Sequence, residues 1–356
     1  MTTNTATIAE EFDRVIGVDT HKATHTAAIV HCNGAHQHTM TVSATPAGFA
    51  ELFMHVDSEP GTRIWALEGC GSWGRGLYRW LDERGERVVE VERPKRPKRH
   101  MGIKDDASDA LRCAREAFTV RHAAIPRADG KRDAIAALFA VRKLALSATG
   151  DAERQLLSLA NIAPEVLAAK VRGLSTLMTV RTCAASRPAS YNDPSIRRFA
   201  LAMQSAAKRA LALRAESEML EKELTAAIRE WRPDLLAQDG VGPIVAAVVL
   251  SAWSHPGRIR SEGAFAMISG TAPIPASSGQ TQRHRLNRQG DRQLNWALHV
   301  TAMWRMRSDE RTRTYVERRR AEGKTDREIR RCLKRYIARE FFNLLEKPLE
   351  QSLDDL

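Results

Sequence analysis

The sequence predicts an α/β domain at the N-terminus, followed by a helical middle region and a mainly α-helical C-terminal region. Short β-branched runs alternate with helical stretches in the first part of the chain, and Ala, Leu, Arg and Glu dominate beyond about residue 130. Strands that alternate with helices are typical of α/β domains. We therefore divide the chain into three domains, with bounds 12–125, 130–232 and 233–345.

The predicted strands of the first domain begin at Arg14. From Arg14 to Val42 the pattern alternates, with Asn33-Gly34 between two runs, which indicates a strand followed by a hairpin. Apolar runs at 63–69 and 86–92 predict buried strands, with a helix between them at 73–82. The prolines of RPKRPKRH at 93–100 predict an exposed basic loop, and a helix is expected at 107–117.

The middle region carries the seam of a coiled coil or of a long helical hairpin. Its apolar and small residues recur at alternating four- and three-residue steps: Ala206, Ala210, Leu213, Ser217, Leu220, Leu224, Ala227 and Trp231. About half of these positions are large and apolar, so packing within the chain and self-association to a homodimer or higher oligomer are both compatible with the pattern.

Charge indicates a polyanionic partner. Lys and Arg outnumber Asp and Glu by 55 to 43, for a net charge of +12, so nucleic acid is the leading candidate and a merely basic soluble protein the alternative. The five cysteines are scattered without the spacing of a zinc or redox motif, which favours a reducing compartment. No signal peptide is recognised, and the apolar run Val241–Trp253 is too short for a membrane span, so we expect a cytoplasmic protein without membrane contact.

Four acidic residues form the main candidate site. Asp19 and Glu68 each end a predicted buried strand, in VIGVDTHK and IWALEGCG, and Asp106 and Asp109 lie three apart at the start of a predicted helix. Together they would bind Mg²⁺, or Mn²⁺, in the way that phosphodiester cleavage requires. Taken singly, each acid reads more simply as a strand end or a helix cap. Their order is that of a ribonuclease-H-like fold, and Asp105 is the second choice for the third position.

A Gly-Val-Gly-Pro turn opens the C-terminal domain. It lies between apolar stretches within Leu235–Trp253, which predicts a helix-hairpin-helix with Gly240 and Gly242 exposing backbone N–H groups to a phosphate. A plain turn between two core helices is an equally good interpretation.

An extended loop follows in TAPIPASSGQTQRHRLNRQGDRQLNWALH. Pro273 and Pro275 exclude a helix there, so Ser277 and Ser278 are accessible among arginines that can bind phosphate, and either serine could attack a phosphodiester. His284 is the one neighbouring candidate base, and a flexible Ser-Gly loop is the alternative interpretation.

Basic residues predict the nucleic-acid contacts. A dense basic series runs from Arg305 to Arg339 around Tyr315 and Tyr336 and favours backbone contact with nucleic acid. The individual side chains that we predict to bind nucleic acid are Lys22, Lys98, Arg99, Lys104, Arg283, Arg285, Arg288 and Arg292.

With these motifs in order, the chain resembles the bacterial insertion-sequence transposases of the one-ten type, the DEDD transposases. GVDTHK, ALEG and KDDASDA resemble that family's RuvC-like N-terminal domain, and GVGP, TAPIPASSG and HRLNRQGDRQLN its C-terminal transposase domain. The family usually has Ser or Thr at the position of Asp105.

The resemblance implies a mechanism and partners. Asp19, Glu68, Asp106 and Asp109 would bind Mg²⁺, and Ser278, with Ser277 as the reserve choice, would be the nucleophile. It further implies a structured guide RNA, encoded by the element, that pairs with donor and target DNA, and a homotetramer of two dimers in which the carboxylates of one subunit complete the serine site of another. The alternatives are a RuvC-class nuclease that hydrolyses DNA without a covalent intermediate, and a nucleic-acid binder without activity.

Overall fold

The structure is a computed structural model that describes residues 7–91, 105–119, 124–127, 130–276, 284–285 and 287–348. It divides the chain into two compact units, Met1–Asp129 and Gly130–Leu356. The predicted domain bounds, including the one near residue 232, stay predictions. Several predicted site residues lie outside the described residues: Lys98, Arg99, Lys104, Ser277, Ser278 and Arg283, together with the side chain of His284.

The first unit combines a five-stranded sheet with helices. Its strands are β1 Arg14–Thr20, β2 Thr24–His31, β3 His36–Ser43, β4 Arg63–Glu68 and β5 Val88–Val91. Its helices are α1 Ile8–Glu11, α2 Pro46–Asp57, α3 Arg75–Asp82 and α4 Asp106–Thr119.

The sheet is mixed, in the order β3-β2-β1-β4-β5. β1, β2 and β3 pair antiparallel, and the Asn33-Gly34 turn lies between β2 and β3, as the sequence predicts. β4 and β5 continue the sheet in parallel with β1. The prediction of an N-terminal α/β domain is confirmed, and the finer assignment to a RuvC-like fold stays a prediction.

The central strand β1 is buried along its whole length because both faces of the sheet are covered. On one face Ile16 and Val18 share a core with Leu52 of α2 and Leu77 of α3. On the other face Val15 packs in a second core with residues of α4. The sheet edge at the end of β1 is therefore held rigidly from both sides.

The second unit is mainly helical, as predicted. Its helices are α5 Lys131–Asn161, α6 Glu165–Ala168, α7 Thr176–Ala184, α8 Pro194–Trp231, α9 Pro233–Leu236, α10 Pro243–Trp253, α11 Glu262–Ile268, α12 Arg292–Ser308, α13 Glu310–Ala321 and α14 Asp326–Leu345, with a 3-10 turn at Pro188–Ser190. The short strands β6 Ile274–Pro275 and β7 His284–Arg285 pair antiparallel.

The two long helices α5 and α8 form an antiparallel hairpin. Ion pairs join Lys131 to Glu230 at 3.2 Å, Arg142 to Glu221 at 2.6 Å and Glu153 to Arg214 at 2.5 Å. Every predicted seam position of α8 is buried or half-buried. The seam therefore packs within the chain, which was one of the two interpretations of its pattern.

The rest of the second unit packs around α10. From Val245 to Leu250 every side chain of this helix is buried, and its core includes Leu298 of α12 and Phe341 of α14. None of the helices in the described part of the chain is both long and apolar enough to cross a membrane. The five cysteines, all within the described residues, form no disulfide.

Candidate metal centre and nucleic-acid contacts

The first two predicted acids lie at the same edge of the sheet. Asp19 is the penultimate residue of β1 and Glu68 is the last residue of the neighbouring parallel strand β4, whose Leu67 pairs with Val18. The Thr20 hydroxyl donates a 2.8 Å hydrogen bond to the Glu68 carbonyl and ties the two strand ends together. Asp19 is only 4% exposed. The alternation of the strands and their parallel pairing thus bring these two distant residues to one place.

Helix α4 reaches this edge because of a glycine. A Cβ on Gly17 would lie 2.3 Å from the Ala110 carbonyl oxygen and 2.3 Å from the Ala114 amide nitrogen. Only a residue without a side chain allows the helix backbone to pack so closely on β1. The helix therefore begins at Asp106 beside the end of β1.

Three side chains meet where α4 begins. His21 Nδ1 lies 3.9 Å from Asp19 Oδ2 and 4.0 Å from Asp106 Oδ2. One ligand atom from each of Asp19, His21 and Asp106 lies within 4.8 Å of the other two. Two carboxylates and an imidazole are donors suited to a divalent cation, and the nitrogen is better suited to Mn²⁺ than to Mg²⁺.

His21 is the residue that the sequence prediction missed. It follows Asp19 by two positions at the end of an extended segment, so both side chains point to the same side of the backbone. The spacing in GVDTHK could have indicated this pairing, although the proximity of Asp106 could not be read from it.

Glu68 and Asp109 lie beside this cluster but outside it. Glu68 Oε2 is 4.0 Å from the sulfur of Cys113 on α4. Burial, followed by the negative charges of Glu68 and Asp19, raises the pKa of Cys113 to about 12, so this thiol stays protonated at neutral pH. Asp109 is one turn before Cys113 on α4, is largely buried and forms an ion pair with Arg112.

The neighbouring acids Asp105 and Asp106 occupy different surroundings. Asp105 is exposed and accepts hydrogen bonds from the Ala107 amide at 3.3 Å and the Ser108 hydroxyl at 3.0 Å, which is the behaviour of a helix cap. Asp106 faces His21. The placement favours Asp106 as the ligand, and the ligand roles of all four acids stay proposals.

The Gly-Val-Gly-Pro turn connects α9 to α10. Gly240 has φ +77°, a left-handed conformation that favours glycine, and a Cβ there would also pack tightly, 3.2 Å from the ring of Trp304 on α12. Gly242 immediately precedes α10 and faces open space. The predicted helix-hairpin-helix contact with phosphate stays a prediction for both residues.

The predicted basic contacts within the described residues are all exposed. Lys22 follows the end of β1, Arg285 lies on β7, Arg288 follows it, and Arg292 begins α12. The loop between β7 and α12 is held by Asn287, whose side-chain amide donates to the Met267 carbonyl at 3.0 Å. Arg288, the next residue, therefore projects from a backbone that Asn287 holds in place, and the role of all four basic side chains stays a proposal.

Comparison with known proteins gives two family matches. Residues 16–162 match a family model for DEDD transposases of the IS110 type, and residues 234–317 match the model described as "Transposase IS116/IS110/IS902 family". The chain is 31% identical over 128 residues to the insertion element IS110 uncharacterized 43.6 kDa protein of Streptomyces coelicolor, a match covering 35% of this chain and 32% of that protein. It is 34% identical over 92 residues to the insertion element IS900 uncharacterized 42 kDa protein of Mycobacterium paratuberculosis, covering 25% of this chain and 23% of that protein. The matches thus span about a third and a quarter of these relatives.

Proposed function

We propose that the chain is an IS110-type DEDD transposase that cuts and rejoins DNA strands at the ends of an insertion sequence, because residues 16–162 and 234–317 match two transposase family models. The observation that carries this proposal is the meeting of Asp19, His21 and Asp106 at one sheet edge beside Glu68. A divalent cation bound there would stabilise negative charge on the attacking and leaving oxygens of a phosphodiester.

The residues of the site divide into ligands and supports. Asp19 and Asp106 would bind the cation directly, and Glu68 and Asp109 would complete its ligands when DNA is bound. Lys22, exposed beside the cluster, would contact the DNA backbone. Burial of Asp19 and the close packing of α4 on Gly17 keep the ligand atoms in place before the substrate arrives.

The strand exchange would use Ser278. Its Oγ attacks the phosphorus of the phosphodiester, the Oγ–P bond forms, and the bond from phosphorus to the leaving sugar oxygen breaks. The serine proton passes to solvent or to a neighbouring base, and the sugar oxygen takes up a proton. Attack by the hydroxyl of another strand reverses these steps and joins the new ends without net oxidation or reduction.

The partners that we propose are donor and target DNA and a structured guide RNA that pairs with both. A net charge of +12 supports binding to nucleic acid in general. A homotetramer built from two dimers and a cytoplasmic location belong to the same proposal.

The nucleophile can be tested by trapping protein on DNA. With end-labelled DNA, the element's RNA and Mg²⁺, we expect wild-type protein and Ser277→Ala to form a covalent adduct that survives denaturing electrophoresis, and Ser278→Ala to form none. Loss of the adduct in Ser277→Ala alone would transfer the role to that serine. A hydrolytic RuvC-class nuclease would give a different result. It would cleave DNA without forming an adduct, and this cleavage would persist in both serine variants but be abolished by Asp19→Asn.

The role of His21 can be tested with Mn²⁺ and no DNA. We expect pulsed electron paramagnetic resonance of the Mn²⁺-loaded protein to show a nitrogen coupling that disappears in His21→Gln, with Mn²⁺ affinity lowered about 10-fold. His25→Gln is not a suitable control because that ring is buried, so the exposed His36 is the matched choice and His36→Gln should keep the signal. An unchanged nitrogen coupling in His21→Gln would show that the His21 imidazole does not bind the cation.

A further inference from the structure

A basic cavity in the second unit carries an inference that rests on the proposed function and extends it. The cavity has a volume of about 680 Å³ and lies between helix α14, the residues 270–273 that precede β6, and Arg285 of β7. Six of its lining side chains are basic, and only Glu328 is acidic. The chain that connects β6 to β7 contains Ser277 and Ser278.

Part of this positive charge is neutralised within the protein. Arg335 forms an ion pair with Glu262, and Arg319 forms one with Glu322. Glu328 accepts hydrogen bonds from the Thr325 amide at 2.9 Å and hydroxyl at 2.8 Å and serves as part of the helix cap. The other four basic side chains of the cavity take no part in these ion pairs.

The four remaining side chains have no carboxylate within 4.0 Å in the part of the chain that the structure describes; they are Arg285, Lys324, Arg331 and Lys334. Lys324 and Arg331 are close enough to Glu328 to help lower its pKa, but this one carboxylate cannot balance four cations. Such a concentration of positive charge in a concave site destabilises the folded chain unless an anion or solvent compensates it. The arrangement therefore favours binding over a purely structural role.

Lys334 is the most informative of the four. Its ammonium group is half-buried, and it donates a 2.8 Å hydrogen bond to the neutral side-chain oxygen of Asn295 on α12. Burial, followed by the charge of Arg331, lowers the pKa of Lys334. A cation fixed in this way and not paired with an acid is suited to an incoming anion.

The cavity offers an aromatic surface as well. Tyr336 lines the cavity, is 50% exposed, and its ring is held edge-on by Tyr315 at 5.9 Å between centroids. A fixed, exposed aromatic ring beside cations is a typical contact for a nucleotide. It distinguishes a polynucleotide from a simple inorganic anion.

We propose that this cavity binds a backbone phosphate of the DNA strand that is cut and rejoined, with Lys334 and Arg331 as its principal contacts. Arg285, on the strand that follows the serine segment, would contact the adjacent phosphate. β6 and β7 flank the serine segment in the chain, which is why we assign the bound phosphate to the strand that is cut and rejoined.

The test measures DNA binding in EDTA, so that it does not depend on the metal site. By fluorescence anisotropy on a mixed-sequence DNA oligonucleotide, we expect the double variant Lys334→Met, Arg331→Gln to bind about 10-fold more weakly than wild type. The slope of log K against log salt should fall by about one to two, one unit for each phosphate contact that is lost. Arg327→Gln is the matched control, since it removes an exposed cation from the same helix outside the cavity, and its affinity should change by less than about 2-fold.

Three results would overturn the proposal. The first is a double variant that binds DNA as tightly as the wild type does. The second is an equal loss of DNA affinity in Arg327→Gln, which would show a general charge effect. A loss confined to an RNA oligonucleotide of the same sequence would assign the cavity to RNA. If burial of Lys334 makes its replacement unstable in thermal unfolding, Arg331→Gln alone carries the test, because Arg331 is exposed.

The same variants separate this inference from the proposed function. If the variants show that the cavity binds DNA but the wild-type protein performs no metal-dependent cleavage, the proposed function is contradicted and the cavity assignment stands. Cleavage and joining by a double variant with unchanged DNA affinity would contradict the cavity and leave the function intact.

Discussion

Replacing Asp106 by Asn is expected to lower DNA cleavage by about 1,000-fold, whereas the same change at Asp105 should cost less than about 3-fold. Asp106 Oδ2 faces His21 in the cluster that includes Asp19, and in the proposed function its charge helps to bind the cation. Asp105 caps α4, and Asn is an equally good cap. Cleavage of labelled DNA in Mg²⁺ or Mn²⁺ measures both variants.

The two substitutions remove the same charge from adjacent residues, so each is the control for the other. Asp19→Asn should behave as Asp106→Asn does. Titration of Mn²⁺, followed by the signal of the free ion, should show weakened binding in Asp106→Asn and wild-type binding in Asp105→Asn. Loss of activity in Asp105→Asn with full activity in Asp106→Asn would shift the third ligand by one residue.

Replacing Gly17 by Ala should destabilise the first unit by about 3 kcal/mol, the largest effect on stability that we expect. The added methyl group would lie 2.3 Å from backbone atoms of Ala110 and Ala114, which cannot yield by a change of rotamer. The helix must move away from β1, and Asp106 moves with it. Thermal unfolding by circular dichroism should show a transition lowered by about 10 °C or more.

Gly71→Ala provides the matched control for this change. A Cβ on Gly71 meets nothing within 4 Å, and its φ lies outside the left-handed region, so the variant should unfold as wild type does. Where Gly17→Ala is still folded, its affinity for Mn²⁺ should also be reduced, because the start of α4 carries the proposed ligand Asp106. A stable Gly17→Ala protein with normal Mn²⁺ binding would contradict the close packing of α4 on β1.

The sequence predicts the sheet edge well and the helix start only in part. The alternation of β1 and β4 places Asp19 and Glu68 at strand ends, and parallel pairing then requires them to be neighbours. The three-residue spacing of Asp106 and Asp109 correctly indicates one helix face. Periodicity cannot say that α4 packs directly over Gly17, since this contact depends on tertiary packing between residues about 90 positions apart. The proximity of His21 to Asp106 could not be predicted for the same reason, whereas its two-residue spacing from Asp19 is plain in the sequence.

The basic cavity shows the same limit in the second unit. The positive charge of the series from Arg305 to Arg339 is plain in the sequence, but the sequence does not tell which of these side chains contact a carboxylate and which do not. Arg335 forms an ion pair with Glu262 of α11, whereas Lys334 beside it donates a hydrogen bond to the side-chain oxygen of Asn295 and has no carboxylate within 4.0 Å among the described residues. Neighbours in the chain thus differ in what they can bind, and helix packing alone decides the difference.

The ion pairs of the α5–α8 hairpin also determine how its helices are aligned. If one helix slid along the other by one heptad, the apolar seam would still be matched, so hydrophobic contact alone does not exclude this misaligned pairing. In one direction the slide sets Arg142 against Arg214, and in the other it sets Glu153 against Glu221. Because the sign of the charge reverses along each helix, repulsion penalises misalignment both ways, and the hairpin has one favoured length.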